Sequence, residues 1–282
     1  MSHAADDEAA NTGGHTRSTA EDDSRTEAEV LYEVVGGAAH ISINRPDRRN
    51  ALNAYVVRSI SSNLERAESD GARTIVLTGT GDKAFCAGAD LGGMTGEGAV
   101  EQHFERAEIG NLIMAMRSSP LPIVARVNGH ALAGGFGLML ACDLIVAADD
   151  AEMGTPEVNL GLWPFMISAI VQRDIPRKVA LEMMFTGRRI TPAEGYRHGF
   201  VNRVVARSEL DAATSEVVNE LKTKSPLVLS LGKRSFYGAQ DMHLNDALEY
   251  LAGMLTVCLQ SEDTAEGVSA FFQNRPPEWR GR

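Results

Sequence analysis

The first residue in this 282-residue chain with a claim to chemistry is a glutamate set among hydrocarbon. Glu157 lies in Glu152-Met153-Gly154-Thr155-Pro156-Glu157-Val158-Asn159-Leu160-Gly161, a stretch that runs on through Leu162, Trp163, Pro164, Phe165 and Met166. A carboxylate in such surroundings is hard to ionise, which is how a general acid/base is tuned toward neutral pH. The plainer reading is a solvated glutamate at a helix start after proline. Two loops of small residues are the other candidates: Lys83-Ala84-Phe85-Cys86-Ala87-Gly88-Ala89-Asp90 and Val127-Asn128-Gly129-His130-Ala131-Leu132-Ala133-Gly134-Gly135-Phe136-Gly137. Each follows a predicted strand, and the second leads into a helix. Small residues let a ligand approach the backbone closely, and a helix start presents unpaired N–H groups. Two strand-end loops, each offering one N–H, can hold a developing oxyanion between them. Tight turns alone would also account for the glycines, and the residues by themselves leave both readings open.

Other chemistries are excluded by what the chain lacks. There is no GxxxxGK phosphate loop, HExxH, GxSxG elbow or CxxC pair. The run Gly134-Gly135-Phe136-Gly137 has no third glycine at position 140 and no acidic strand end at the dinucleotide spacing. Cys86, Cys142 and Cys258 are too few and scattered for a disulfide scaffold or a metal site, and point to a reducing cytoplasmic setting. Cys86 abuts the first loop without a His-Asp pairing that would make it a nucleophile. A formal charge of −11 argues against nucleic acid or an anionic membrane as partner. No apolar run approaches the ~20 residues of a membrane span. His130 reads as a structural contact. His103, Glu105 and Glu108 read as solvated residues on the polar first half of their helix.

The elements that must position these groups are legible from Glu29 onward. Before that, residues 1–29 hold eight acids against two arginines and, beyond Met1, no large apolar residue. Residues 1–28 are predicted to be a disordered acidic extension, unlike a secretory or organellar leader. Leu31 to Val35 and Ala39 to Asn44 flank Gly36-Gly37 as a hairpin. The spacing of Val56, Ile60, Leu64 and Ala67 predicts a helix over 54–68, and Ile109, Leu112, Ile113 and Met116 predict another over 100–118. Strands are expected at 74–78, 122–128 and 143–147, with a short apolar helix over 135–142. Strand and helix in alternation predict an α/β core over 29–206 with parallel strands joined by crossovers. Thr191-x-x-Glu194 is a capping box with Pro192 at the first helical position and Gly199 at the end. Helices over 208–223, 226–240, 244–260 and 263–273 make 207–282 a helical C-terminal region.

Taken in order, Ile43-Asn44-Arg45-Pro46 with Asn50-Ala51-Leu52, Ala84-Phe85-Cys86-Ala87-Gly88-Ala89-Asp90, Asn128-Gly129-His130-Ala131-Leu132-Ala133-Gly134-Gly135 and Thr155-Pro156-Glu157 resemble the crotonase family, the enoyl-CoA hydratase/isomerase superfamily. The likeness continues through Ile175-Pro176-Arg177-Lys178, Phe185-Thr186-Gly187 and Glu266-Gly267 with Ala270-Phe271, and covers the chain from residue 30 to its end. The resemblance implies a ββα superhelical core, a C-terminal trimerisation region, an acyl-CoA thioester as substrate and no cofactor beyond the CoA it carries. It places the oxyanion donors on Ala89 and Gly134 and the acid/base on Glu157. It sets Asn50, Ala51, Leu52, Cys86, Ala87, Gly88 and Asp90 near the CoA moiety, with Asp90 bracing its loop. Phe271 matches an aromatic that packs near the adenine, often from a neighbouring subunit; an ordinary core residue is the other reading. Trp163, Phe165 and Met166 either shape the acyl pocket or belong to the core.

Two departures from the family pattern bear on the reaction. Hydratases of the family carry a second glutamate where this chain has Gly137. A lone glutamate suits proton transfer between carbons, as in Δ3,Δ2-enoyl-CoA isomerases, better than addition of water. Asn274 stands where many relatives have a lysine that meets a CoA phosphate; Arg275, Lys233 and Arg234 are the substitutes the sequence offers. The expected function is thus enolate chemistry on an acyl-CoA by a homotrimer or dimer of trimers. The competing class is a non-catalytic acyl-CoA-binding protein of the same fold.

Overall fold

The computed structural model describes residues 28–90 and 98–282, so the acidic extension lies, up to residue 27, outside the described residues. Gly36 and Gly37, both at positive φ, supply the turn that a two-residue hairpin needs between β1 (Val30–Val35) and β2 (Ala38–Ile43), which pair from Val30 with Ile43 to Val35 with Ala38. Asn53 caps α1 (Ala54–Ser69) by accepting from the Val56 N–H. The buried Val56, Val57, Ile60, Leu64 and Ala67 give that helix its inner face. The crossover delivers β3 (Thr74–Gly79) parallel to β2. There follow β4 (Ala84–Cys86), α2 (Ala99–Ser118), β5 (Ile123–Val127), β6 (His130–Leu132), α3 (Gly134–Leu140), β7 (Leu144–Ala148) and β8 (Met153–Gly154). Beyond them lie α4 (Phe165–Asp174), α5 (Arg177–Thr186), β9 (Arg189–Ile190), α6 (Pro192–His198) and β10 (Arg203–Val205). The chain ends in α7 (Leu210–Lys222), α8 (Pro226–Ala239), α9 (Leu244–Leu259) and α10 (Glu262–Phe272).

Two sheets result. The larger has the order β1-β2-β3-β5-β7-β10 and is parallel apart from the first pair; the smaller has the order β4-β6-β8-β9, with β4, β6 and β8 parallel. Alternation along the strands covers both faces of the larger sheet. Ile123, Ala125, Ile145 and Ala147 join the main core, which also takes Phe85 and Met153 from the small sheet and Phe136, Ile167 and Met183 from helices. Val124 and Val146 point the other way, against Leu210, Ala213 and Val217 of α7. This is the expected α/β architecture with a helical C-terminal region.

The structure differs from expectation mainly in the small sheet. Residues 84–86, 130–132, 153–154 and 189–190, loop or unassigned by their sequence, are strands of two or three residues, too short to carry a periodic signal. The Thr191–Glu194 capping box forms as predicted, with Gly199 left-handed at the helix end. The C-terminal segment folds back on α10: buried Asp263 accepts from the Ser225 hydroxyl (2.5 Å) and the Arg280 N–H (2.7 Å). Trp279 lies across Gly267, where a Cβ would approach the ring to 3.1 Å, which gives the Glu266-Gly267 pair its physical reason. No helix among the described residues is long and apolar enough to cross a membrane.

Candidate active site

The candidate groups sit at the C-terminal ends of three adjacent parallel strands. β4 leads into Gly88-Ala89, β6 into Ala133-Gly134, and β8 through Thr155 into the 3-10 turn that carries Glu157. Neighbouring strands lie about 4.8 Å apart, so the three ends span about 10 Å. Adjacent strand ends of this kind are where α/β folds place binding groups.

The first two loops are forced together by small residues. Gly88 has φ +97°, and a Cβ on it would lie 2.7 Å from the Ala133 Cβ and 3.1 Å from the Gly134 nitrogen. A Cβ on Gly134 would in turn lie 3.7 Å from the Ala89 nitrogen and from Leu52 Cδ1. Leu52 donates its N–H to the Gly88 carbonyl (2.7 Å) and accepts from the Asp90 N–H (2.8 Å). In such a parallel bridge the intervening residue, Ala89, turns its own N–H away from the ladder. Ala133 adopts φ +51°, ψ −129°, a sparsely populated conformation for a residue with a Cβ. Its carbonyl already accepts from Phe136 and Gly137. Among the described residues, neither the Ala89 nor the Gly134 N–H donates a hydrogen bond. Two free donors on touching loops are what a developing oxyanion needs.

Arg45 locks this arrangement. Its guanidinium meets Asp90 (2.8 Å) and Glu29 (3.0 Å) and donates to the Ala51 carbonyl (2.7 Å). Asp90 is thus tied to Arg45 and through it to the Ala51 carbonyl. Asn50, which the resemblance set near the CoA, has its side chain turned inward. It is buried, has φ +56°, and spends its side chain on the backbone, donating to the Thr80 and Ala84 carbonyls and accepting from the Arg45 N–H. It positions the loops, and its side-chain donors and acceptor are spent within the protein. Ala51, Cys86 and Gly88 are buried and Ala87 half-buried, so their contribution is shape and backbone. Burial pushes the Cys86 thiol up to about 12, well away from a reactive thiolate.

Glu157 is half-buried, and its Oε2 is buried with no hydrogen-bond partner among the described residues. Burial holds its carboxyl above the ordinary carboxylate range, with its own backbone N–H drawing it partly back. The adjacent Thr155 is fully buried, and its hydroxyl is also unpartnered among the described residues. An orphaned buried carboxylate oxygen is costly to keep and leaves bonding capacity unused within the protein.

The side of α3 that carries Gly137 is closed. A Cβ at Gly137 would lie 2.2 Å from Ile167 Cγ2 and 2.6 Å from Ile167 Cβ. Gly137 is therefore one half of a helix contact, α3 against α4, whose other half, Ile167, carries no local signal. A glutamate introduced at position 137 alone has no room. Of the aromatic cluster after Glu157, Trp163 joins the core and packs on Phe185 (5.5 Å), whereas Phe165 and Met166 are exposed.

Phe271 is 76% exposed and lies edge-on to the equally exposed Phe272, so it is not a core residue. Arg275 is tied to Glu266 by two contacts (2.5 and 2.9 Å). Lys233 is buried against Asp143 (2.8 Å) and donates to the Leu121 carbonyl. Of the three proposed substitutes for the absent lysine, Arg234 alone is exposed and unpaired among the described residues. The His130 Nδ1 accepts from the Glu152 N–H, a structural contact. His103 is exposed, Glu108 meets Arg58, and the Glu105 side chain lies outside the described residues. Among the described residues no group of three His, Cys, Asp or Glu is placed to hold a metal ion.

The chain is 36% identical over 245 residues to rat enoyl-CoA hydratase domain-containing protein 3, mitochondrial, covering 86% of this chain and 81% of that one. It is 31% identical to the short-chain-enoyl-CoA hydratase of Clostridium acetobutylicum, covering 88% and 96%. Among solved structures it superposes on an enoyl-CoA hydratase of Mycobacterium smegmatis with a TM-score of 0.86 at 32% identity, covering 90% and 99%. Human enoyl-Coenzyme A hydratase domain-containing protein 3 gives 0.85 at 33%, covering 89% and 100%. The profile of the enoyl-CoA hydratase/isomerase family matches residues 33–282, and the chain belongs to that family of acyl-CoA-processing enzymes.

Proposed function

We propose that this enzyme isomerises an enoyl-CoA through a thioester enolate and does not add water to it. The thioester oxygen is held by the Ala89 and Gly134 N–H groups. The Glu157 carboxylate takes a proton from C2 of a 3-enoyl-CoA, and the electron pair passes to the thioester oxygen. Glu157 then returns the proton to C4, leaving the double bond between C2 and C3. A carboxyl held above its usual range suits both halves, since it must be ionised to take the proton and able to hold it until delivery. Each oxyanion donor is worth about 3 kcal/mol of barrier. The CoA moiety runs past Leu52 and the Ala87–Ala89 backbone, with Trp163 beside the acyl group and Phe271 reaching a neighbouring subunit's ligand. No cofactor beyond the CoA is required. The exposed aromatics of α10 support a homotrimer or dimer of trimers, and three free cysteines suit a reducing cytoplasm.

The observation that carries the reading is the contact between Gly137 and Ile167: any side chain at 137, where the resemblance puts the second carboxylate of hydratases, would meet Ile167 Cγ2 at 2.2 Å. The test is incubation with 2-enoyl- and 3-enoyl-CoA in deuterated water, reading product mass and double-bond position. Conversion of the 3-enoyl to the 2-enoyl ester without uptake of water is expected. Water addition as the dominant outcome would replace isomerisation by hydration. Tight binding with no exchange or conversion would assign the chain to the non-catalytic class.

A further inference from the structure

Thr155 keeps a polar group that the resting site does not use. Its side chain is fully buried, and its hydroxyl has no hydrogen-bond partner among the described residues. A buried hydroxyl left unpaired is costly, and a valine of the same shape would avoid that cost. The position makes the idle hydroxyl informative. Thr155 is the N-cap of the 3-10 turn Pro156–Leu160, where a threonine hydroxyl ordinarily accepts from the N–H two or three residues on. Pro156 has no N–H, so the first donor of the turn is the N–H of Glu157. Among the described residues that N–H reaches no backbone acceptor, and the cap bond from Thr155 is not made. What it meets is the carboxylate of its own residue, which it draws back toward the ordinary range. Hydroxyl and carboxylate are therefore two acceptors for one donor, and in the resting site the carboxylate holds it.

The backbone around the pair is held at both ends. Gly154, at the end of β8, accepts from the N–H of Ala133 (2.9 Å), the residue before the oxyanion donor Gly134. Beyond the turn, the Glu157 carbonyl accepts from the Leu162 N–H (3.1 Å). With the main chain fixed, exchange of the donor needs side-chain rotation alone. The carboxylate swings outward, and Thr155 turns about its Cα–Cβ bond from one staggered well to another. A carboxylate that leaves its N–H to reach a substrate carbon would otherwise strand that donor in a buried place, a penalty borne by the step it accompanies.

We infer that Thr155 is a positioning residue that takes over the Glu157 N–H when the carboxylate turns to the acyl-CoA, so that the base leaves its resting contact without stranding a buried donor. The inference rests on the reading of Glu157 as the base, whether isomerisation or hydration follows. Freed of its N–H, the carboxylate is also the stronger base, because a hydrogen bond to the charged form favours that form.

The test compares two substitutions with the parent and with Glu157→Gln. Thr155→Val keeps the shape and removes the acceptor, whereas Thr155→Ser keeps the acceptor. Each full-length protein is given a 3-enoyl-CoA in deuterated water, and deuterium entering at C2 or C4 reports proton removal whatever follows it. Steady-state kcat and KM and the melting temperature are read alongside. Thr155→Val is expected to lower deuterium uptake and kcat about tenfold, the worth of one buried hydrogen bond, with KM changed by no more than about twofold. Its melting temperature should equal or exceed the parent's, since an unpaired hydroxyl has left the resting fold. Thr155→Ser is expected to turn over at close to the parental rate. Uptake that Glu157→Gln abolishes and Thr155→Val leaves at the parental rate overturns the inference while the reading of Glu157 stands. An equal loss in Thr155→Ser and Thr155→Val, or a lower melting temperature in Thr155→Val, also overturns it and makes Thr155 a packing residue. Uptake that survives in Glu157→Gln, or none in the parent, overturns both.

Discussion

At Glu157 the same burial that makes ionisation costly makes the group useful. The carboxyl has no partner for Oε2 among the described residues, and its proton affinity lies above that of a solvated glutamate. Glu157→Gln keeps the shape and removes the base, so kcat is expected to fall about 10²- to 10⁴-fold while acyl-CoA affinity changes little. Steady-state kinetics with direct binding measurements separate the two effects, and unchanged turnover would remove Glu157 from the mechanism. The sign of the pH dependence follows from the direction of the shift. The ionised form is lost as pH falls through a value above the ordinary ~4.3 of glutamate, so the acid limb of kcat/KM should lie above that value and vanish in any activity left to Glu157→Gln. Asp174 offers a stability test of the same kind. Burial raises its carboxyl to about 6, against the attraction of Arg117 and Arg173. A carboxyl with a folded pKa above its unfolded value binds more protons in the native state, so its contribution falls as pH rises from about 4 to about 6. Asp174→Asn is therefore expected to gain about 1 kcal/mol at pH 8, allowing for solvent screening and the lost arginine attraction, and nothing near pH 4. Thermal denaturation across that range checks it.

At the scale of elements, the site depends on how closely α3 approaches its neighbours. Gly135 has the Cys86 carbonyl oxygen 2.1 Å from where its Cβ would be, and Gly137 has Ile167 at 2.2 Å. Gly137→Ala should cost about 1–3 kcal/mol by overpacking, although alanine is the better helix former. In an Ile167→Ala background the same change should be near neutral or stabilising, giving a coupling of at least about 1 kcal/mol in a double-mutant cycle read by denaturant unfolding. Additivity of the two changes would mean that α4 does not set the identity of residue 137. By the same geometry Gly137→Glu alone should unfold the helix contact and gain no hydration. The elements legible in the sequence were those with enough residues to show a period or a paired stop signal: the Gly36-Gly37 hairpin, α1, and α6 between Thr191 and Gly199. What escaped was non-local or too short. β4, β6 and β8 are two or three residues each, the φ of Ala133 follows from the loops that clasp it, and Ile167 lies 30 positions from the glycine it excludes. Motif resemblance pointed to Ala89, Gly134 and Glu157, and it set Asn50 near the ligand without showing that side chain turned inward.

For the whole molecule, the distribution of polarity is uneven in two ways. Residues 1–29 carry more than half of the net charge, eight acids against two arginines, while the surface of α8–α10 is rich in hydrocarbon. On α9, Leu244, Leu248, Leu251, Leu255 and Leu259 are all exposed, and they recur at intervals of three and four residues. That spacing draws one continuous apolar stripe along the helix. Phe236, Phe271 and Phe272 extend the exposed hydrocarbon on the flanking helices. Apolar surface of this extent is rare on a monomer, and under the proposed assembly it is the subunit contact. Burying each leucine would contribute about 1.5–3 kcal/mol, enough over several residues and subunits to offset the entropy of association. Leu248→Glu with Leu255→Glu places two charges in the stripe. Both side chains face solvent in the single chain, so the fold should survive with an unchanged far-ultraviolet dichroism spectrum. In the assembly the same carboxylates would be buried without partners, at several kcal/mol each. Sedimentation velocity should show the parent as an oligomer and the double variant as a monomer, with turnover reduced if Phe271 completes a neighbour's site. A double variant that sediments like the parent would place the subunit contact elsewhere and leave the α9 stripe without a partner.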